Sequence, residues 1–290
     1  MATTKPIRER LHTLRAEYDR LKKGKEALLT IIDEVELPET VFNSNAIENS
    51  TLTLKETERI LLDLEVARDI SVREVFEAKN LAKVMEYIRN KGAGLVLSRE
   101  MILLLHRMLL TNIDDRVAGR FRMKGEYVRV GTHIAPAPER VEEMMDDILT
   151  QYTSDHETYF ADRIAKFHLD FETIHPFCDG NGRIGRVLMN MQLLQFGFPG
   201  IIIRNKEKKT YYASFTEHRD TKKGKTMEKI VALALAESLH KRIAYLRGAE
   251  IVTLADFAPA QKKSIHSLIN AAHRQTIPAF REKGEWKIGV

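Results

Sequence analysis

His175-Pro176-Phe177-Cys178-Asp179-Gly180-Asn181-Gly182-Arg183-Ile184-Gly185-Arg186 decides the reading of this 290-residue chain, because a base, a carboxylate, two turn dipeptides and two arginines fall within twelve positions. Ahead of it, Phe160, Ile164, Phe167, Phe171 and Ile174 recur every three or four positions and predict a helix with one apolar stripe toward a core. Pro176 lacks the N–H that would continue that helix, so the helix stops with His175 at its exposed end. Asp179-Gly180 and Asn181-Gly182 are consecutive turn dipeptides whose glycines let backbone N–H groups converge in a small concavity. A second helix begins near Arg183, turns Ile184, Val187, Leu188, Met191 and Leu194 inward, and ends at Gly197. Its first-turn N–H groups and dipole attract phosphate oxygens, and Arg183 and Arg186, three apart, share that end. The whole reads as a nucleotide triphosphate site.

Each piece alone has a plainer meaning. His175 would be a helix-terminal hydrogen bonder, Asp179 a turn residue, and the arginines a solvated face. Packing gives no reason to gather all of them in one short stretch, and that favours the functional reading.

The stretch resembles the signature of the Fic family, HPFx(D/E)GN(G/K)RxxR, with every specified position filled. The resemblance implies a mainly α fold and transfer of AMP from ATP to a hydroxyl side chain of a target protein. It implies that His175 is the general base and that Asp179 holds the Mg2+ bridging the phosphates. Asn181 with the backbone of Gly180 and Gly182 would cradle the phosphates, Arg183 would bind them, Arg186 would hold the γ-phosphate, and Phe177 would anchor the loop. Gly182, where the phosphotransferase branch carries lysine, implies that AMP is the group transferred. The chemistry is compatible, since phosphoryl-type transfer needs positioning and charge neutralisation more than covalent help. A histidine titrating near neutrality can accept the hydroxyl proton.

Composition bounds the rest. The length suits one substantial core plus a small appendage, and 30% charged against 43% hydrophobic residues describes a globular chain. A net charge of +5 is too mild to imply nucleic acid by itself. Cys178 is the single cysteine, so no intramolecular disulfide forms, and it fills the free position of the motif rather than that of a nucleophile. With no apolar run near the ~18 residues of a membrane span, a cytoplasmic protein is expected, without membrane contact.

Other segments arrange themselves around the motif. Ile7, Leu11, Leu14, Tyr18 and Leu21 predict an amphipathic N-terminal helix that docks on its own core, and further helices are expected at about 72–90, 98–111, 139–152, 207–219 and 225–247. Gly125 to Pro138 reads as a short β-hairpin. Its place before the motif resembles the Fic flap that holds the target segment, with Thr132, His133 and Ile134 as flap residues. No metal-ligand spacing joins His133, His168 and His175, and His168 reads as a buried, satisfied histidine. Tyr211 and Tyr212 resemble the paired tyrosines that border the nucleotide in this family, although core packing explains them as well. Ser44-Asn45-Ala46-Ile47-Glu48-Asn49 resembles the family's inhibitory helix motif, (S/T)xxxE(G/N). That likeness implies that Glu48 pairs with Arg186 in place of the γ-phosphate; otherwise Ser44 is a cap and Glu48 is solvent-exposed.

Residues 251–290 change character and resemble an excisionase-like winged helix-turn-helix. Lys262 to Ala272 would be the recognition helix, Phe280 to Ile288 the wing around Lys283-Gly284, and Lys262, Lys263, His273, Arg274 and Arg281 the phosphate contacts. A protein-docking role is the competing reading. The expected organisation is therefore mainly α: an N-terminal helical region (1–95), a Fic catalytic core with a hairpin flap (96–248), and a small winged module (249–290). The expected activity is a Mg2+-dependent protein adenylyltransferase using ATP and restrained by Glu48. The alternatives are an enzyme that also removes AMP, with Glu48 positioning water, and a DNA-binding regulator with a secondary catalytic core. Expected partners are a target protein, DNA through residues 249–290, and a second copy of the chain.

Overall fold

The computed structural model describes residues 3–64 and 68–290. Its helices follow the apolar periodicity of the sequence: α1 (Lys5–Leu21), α2 (Glu26–Ile47), α3 (Leu54–Leu61), α4 (Val72–Lys91), α5 (Arg99–Leu110), α6 (Val141–Ser154), α7 (Phe160–Ile174), α8 (Asn181–Gln195), α9 (Lys208–Thr221), α10 (Lys225–Arg247), α11 (Leu254–Ala260) and α12 (Ile265–His273). Starts coincide with capping residues: Thr53 and Glu56 form a reciprocal capping box on α3, and the hydroxyls of Ser71 and Ser98 accept from Glu74 N and Met101 N. No helix among the described residues is long and apolar enough to cross a membrane.

Two apolar cores flank the α7–α8 pair. On one side, Phe167, Phe171, Ile174, Ile184, Val187, Leu188 and Met191 pack with α4, α5 and α6. On the other, Ala161, Ile164, Ala165, Leu169, Met189 and Leu193 pack with α1, α9 and α10. A single stripe on α7 and α8 was the sequence expectation; instead both helices are buried on two faces. The second face escapes a period count because alanines and a methionine compose much of it. On α8 even Asn190 and Gln192 are buried, their amides donating to carbonyls one turn back. Leu11, Leu14 and Tyr18 lay α1 along α10, so the N-terminal helix belongs to the second core.

The hairpin of β1 (Arg129–Val130) and β2 (His133–Ile134) pairs Arg129 with Ile134 and Val130 with His133 around Gly131-Thr132. The C-terminal module has its own small core and a three-stranded antiparallel sheet. In it β5 (Glu285–Gly289) lies between β3 (Ile251–Thr253) and β4 (Ala279–Glu282). Lys283 and Gly284 both take positive φ, 51° and 80°, the twist a two-residue hairpin turn requires. Two expectations need correction here. The helix placed at Lys262–Ala272 runs Ile265–His273, because Lys262 is left-handed and Ser264 caps the turn that follows. Arg281, expected on phosphates, is buried inward: its guanidinium donates to Glu237 at 2.6 Å and to Glu207 at 2.7 Å and lies over Trp286. Lys262, Lys263, His273 and Arg274 remain exposed.

Candidate active site

The motif loop is held from behind before it presents anything forward. His175 leaves α7 in a left-handed conformation (φ 51°), its N–H donating to Phe171 O at 2.8 Å, and Pro176 follows where the helix cannot continue. Asn181 then closes the loop on itself. Its Nδ2 donates to Phe177 O at 2.8 Å and its Oδ1 accepts from Phe177 N at 2.9 Å. Both halves of this carboxamide are occupied within the loop, so the Asn181 side chain shapes the loop. Phe177 is fully buried and stacks on His106 of α5 with centroids 3.6 Å apart. His106 Nδ1 accepts from Gly119 N at 3.0 Å, which leaves Nε2–H to donate to Asp179 O, also at 3.0 Å. Burial holds its pKa down to about 4, in keeping with a neutral ring. Arg122, itself buried, donates to His175 O (2.9 Å), Ile174 O (3.2 Å), Pro136 O (3.0 Å) and Glu126 O (3.0 Å), tying the end of α7 to the flap connection.

In front of the loop is a cavity of about 700 Å3, lined by the end of α2, by Arg73 and Glu77 of α4, by Val128–Gly131, and by His175 and residues 178–183. Four charges form a ring there. Asp179 accepts from Arg73 and, at 3.0 Å, from Arg183 Nη2; Glu77 accepts from Arg73 Nε at 3.0 Å and lies 3.1 Å from Arg183 Nη1. Burial alone would raise the Asp179 carboxyl, but Arg183 and Arg73 hold it below the usual carboxylate range, so it is ionised. Arg183 is 3% exposed, and neither its Nε nor its Nη1 has a hydrogen-bond acceptor; the Glu77 contact is an ion pair without hydrogen-bond alignment. Unmet buried donors on a guanidinium are costly, and Arg183 is one of the residues that line the cavity.

Arg186, one turn further along α8, is satisfied from the other side. Nε donates to Ser44 Oγ at 2.9 Å, Nη2 to Ser44 O and Glu48 Oε1 at 2.8 Å each, and Nη1 to the Tyr211 hydroxyl at 3.3 Å. Burial alone would lower its pKa, but the adjoining Tyr211 and Glu48 keep it above the ordinary arginine value. Ser44 is not a cap: it lies within α2, and Asn49 just beyond takes the left-handed turn (φ 70°). Glu48 lies directly over Gly182, where a Cβ would meet Glu48 Oε1 at 2.2 Å.

Three expectations shift in position. Tyr211 is behind Arg186, 1% exposed, with its hydroxyl also 2.7 Å from His168 Nε2. Tyr212 donates to Ile47 O at 3.1 Å. Neither tyrosine lines the cavity; both brace Arg186 and the end of α2, because α9 runs behind α7 rather than across its mouth. Of the flap, Val128–Gly131 face the cavity. Thr132 and Ile134 are exposed, and His133 anchors the hairpin to α7 through a 2.8 Å contact of Nε2 with Thr173 O. The Cys178 thiol is pushed up to about 11 by burial and by Glu126, and so is not a thiolate at neutral pH.

The sequence did not mark Arg73, Glu77, His106, Arg122 or Glu172. Glu172 is one helical turn before His175, its Oε2 3.6 Å from Nδ1. That i, i+3 spacing was a usable signal; the others reach the loop from elements distant in sequence.

Residues 96–193, which include the whole motif, match the Fic/DOC family. A protein adenylyltransferase Fic from Nematostella vectensis is 35% identical over 181 residues, 59% of this chain and 41% of that protein. Protein adenylyltransferase fic-1 of Caenorhabditis elegans is 33% identical over 214 residues, 70% of this chain and 40% of that protein. The chain thus spans about two fifths of the length of these curated relatives. Among solved structures, a Fic domain containing signaling protein from Bacteroides thetaiotaomicron shares the fold with a TM-score of 0.74 at 23% identity, covering 82% of this chain and 97% of that one. Fic-1 of C. elegans (residues 134–508) gives 0.69 at 27% identity, covering 83% and 73%. The match to the Fic/DOC family thus stands for residues 96–193.

Proposed function

We propose that this chain is a protein adenylyltransferase that moves AMP from ATP to a Ser, Thr or Tyr hydroxyl of a target protein, with Glu48 as its brake. The observation that carries the reading is buried Arg183, with two unmet donors at the N-terminus of α8, in one cavity with His175 and Asp179. Such an arrangement suits a polyphosphate, which would meet the charge of that guanidinium, the first-turn N–H groups and the positive end of the helix dipole.

A divalent cation fits the same place. Among the described residues no three His, Cys, Asp or Glu side chains gather to hold a metal, so Asp179 would be its protein ligand, with phosphate and water oxygens completing the shell. Mg2+ is commonly held in that way. When bound it would neutralise charge on the phosphates and the leaving group. His175 accepts the proton of the attacking hydroxyl, and buried Glu172 beside Nδ1 stabilises the imidazolium that results. The hydroxyl oxygen bonds the α-phosphorus, the bond from that phosphorus to the bridging oxygen of the β-phosphate breaks, and pyrophosphate departs. Arg183 and the Gly180–Gly182 backbone hold the phosphates in line. Val128–Gly131 offer the target an extended edge beside His175.

The brake follows from occupancy of Arg186. Glu48 neutralises it and fills the space over Gly182 where a γ-phosphate would come to Arg186. The test is to incubate the purified chain and its Glu48→Gly variant with ATP, GTP, CTP or UTP and Mg2+, then weigh the intact protein. A covalent AMP adduct, larger in the variant, is expected; unmodified protein with all four nucleotides, with and without candidate target proteins, would overturn the assignment.

A further inference from the structure

The wing hairpin of the C-terminal module does not stand free. Its tip is bonded to the helix that carries Glu48. Glu39 of α2, 5% exposed, accepts from the backbone N–H of Lys283 (3.1 Å) and Gly284 (3.0 Å) and pairs with Arg204. Arg204 donates on to Glu237 at 3.1 Å, and Glu237 takes Arg281 of β4 through its side chain and backbone. A second path joins the same elements: Lys241 of α10 lies between Glu36 of α2 (3.1 Å) and Glu282 of β4 (3.4 Å). Lys283 also reaches Glu58 of α3 at 2.8 Å. Thus α2 is fastened to the module by charges removed from water, which tolerate separation poorly. Beyond Glu39, Asn43 Oδ1 accepts from Asn205 N at 3.0 Å, and the helix then delivers Ser44 and Glu48 to Arg186. Glu48, the C-cap of α2, lies nine positions beyond Glu39, roughly 13 Å along the helix axis.

We infer that the C-terminal module is the control element of the nucleotide site: its docked wing holds α2 in the register that presses Glu48 onto Arg186, and undocking it releases the brake. The inference rests on the proposed braking role of Glu48 and extends it to a part of the chain outside residues 96–193. Nothing in the wing lines the cavity, and α2 is the element that the wing tip and the Glu48 contact share.

The test uses the full chain. Glu39→Gln keeps the size of the side chain and removes the charge that Arg204 and the two wing N–H groups share; Arg281→Gln loosens the wing without touching α2. Each should raise transfer of AMP several-fold, on the order of tenfold for Glu39→Gln, and neither should add to Glu48→Gly, because the three act on one contact. Amide exchange over residues 41–49 should quicken in both variants while α7 and α8 stay protected. Unchanged exchange at 41–49 overturns the inference whatever the activity shows. If Glu48→Gly itself fails to activate, the braking role has failed, and exchange still reports separately whether the wing holds α2. Should a variant melt too low to assay, exchange in the other decides, because the two disturb the clamp from opposite ends.

Discussion

Replacing Glu48 with glycine should raise activity, the reverse of what most substitutions beside a catalytic loop do. Its Oε1 is 2.8 Å from Arg186 Nη2; the arginine side chain is 5% exposed and that of Glu48 34%, so one partner is fully desolvated and the other partly screened. A charge-assisted hydrogen bond of this kind contributes about 1.5–3 kcal/mol. On the proposed reading, ATP displaces the carboxylate to place its γ-phosphate on Arg186, so that amount is subtracted from productive binding. At 1.4 kcal/mol per tenfold, the brake slows transfer at limiting ATP by about 10- to 150-fold, and Glu48→Gly should recover that factor. The assay is the initial rate at which label from α-labelled ATP enters protein, below saturation. Glu48→Gln, which keeps volume without charge, should fall between. In an Arg186→Ala background Glu48→Gly should do almost nothing, since the residue it opposes is gone. Removing the carboxylate also leaves Arg186 buried with only Ser44 and Tyr211, so the variant should lose about 1–3 kcal/mol of stability and regain it with ATP. Rates within twofold of the parent with ATP, GTP, CTP and UTP would refute the reasoning.

His175→Ala should abolish transfer yet leave ATP affinity within about threefold in calorimetry, because the role proposed for His175 is on the acceptor hydroxyl. In Asp179→Ala, Mg2+ should no longer strengthen binding of ADP, a probe that does not need Arg186; an undiminished Mg2+ effect would place the ion elsewhere. Glu77→Gln removes one of the two carboxylates that hold Arg183, and ADP affinity should fall about 3- to 10-fold with little change in melting temperature. Burial lowers His106, His168 and His240 to about 4, against about 6.5 in an unfolded chain. Between these values the unfolded chain binds more protons, so the stability of the neutral rings is complete above about pH 6.5. It is lost as pH falls toward 4, by up to about 1.4 kcal/mol per pH unit for each ring. A melting temperature that stays flat from pH 7 to pH 5 would contradict this.

The sequence makes most of the helices legible because their apolar residues recur at helical spacing, though α3, α11 and most of α2 were not expected, and it makes the forward half of the candidate site legible because its residues are adjacent in the chain. What it does not display is the support. Arg122 looks like one surface arginine among many, yet it binds four carbonyls behind the loop. His106 looks like a polar interruption of α5, yet it stacks on Phe177 and orients Asp179. Arg73 and Glu77 come from α4, about a hundred residues before the loop they complete, and no local spacing encodes that meeting. For the same reason Arg281 reads as an exposed phosphate ligand until Glu237, Glu207 and Trp286 are folded around it.

Gly182, expected in a turn dipeptide, is instead helical, and the reason for glycine there is a different one. In the sequence it is the second half of a turn dipeptide and suggests backbone freedom. In the fold it lies inside α8 without a positive φ, so no special backbone conformation calls for glycine there. What it supplies is a missing atom: a Cβ would come within 2.2 Å of Glu48 Oε1 and 3.1 Å of Arg186 Nη1. The carboxylate proposed to brake the site and the phosphate proposed to replace it need the same cleared volume beside the same guanidinium. Any larger residue at 182 would therefore crowd both occupants, which ties the brake and the substrate to one feature of the backbone and makes their competition direct.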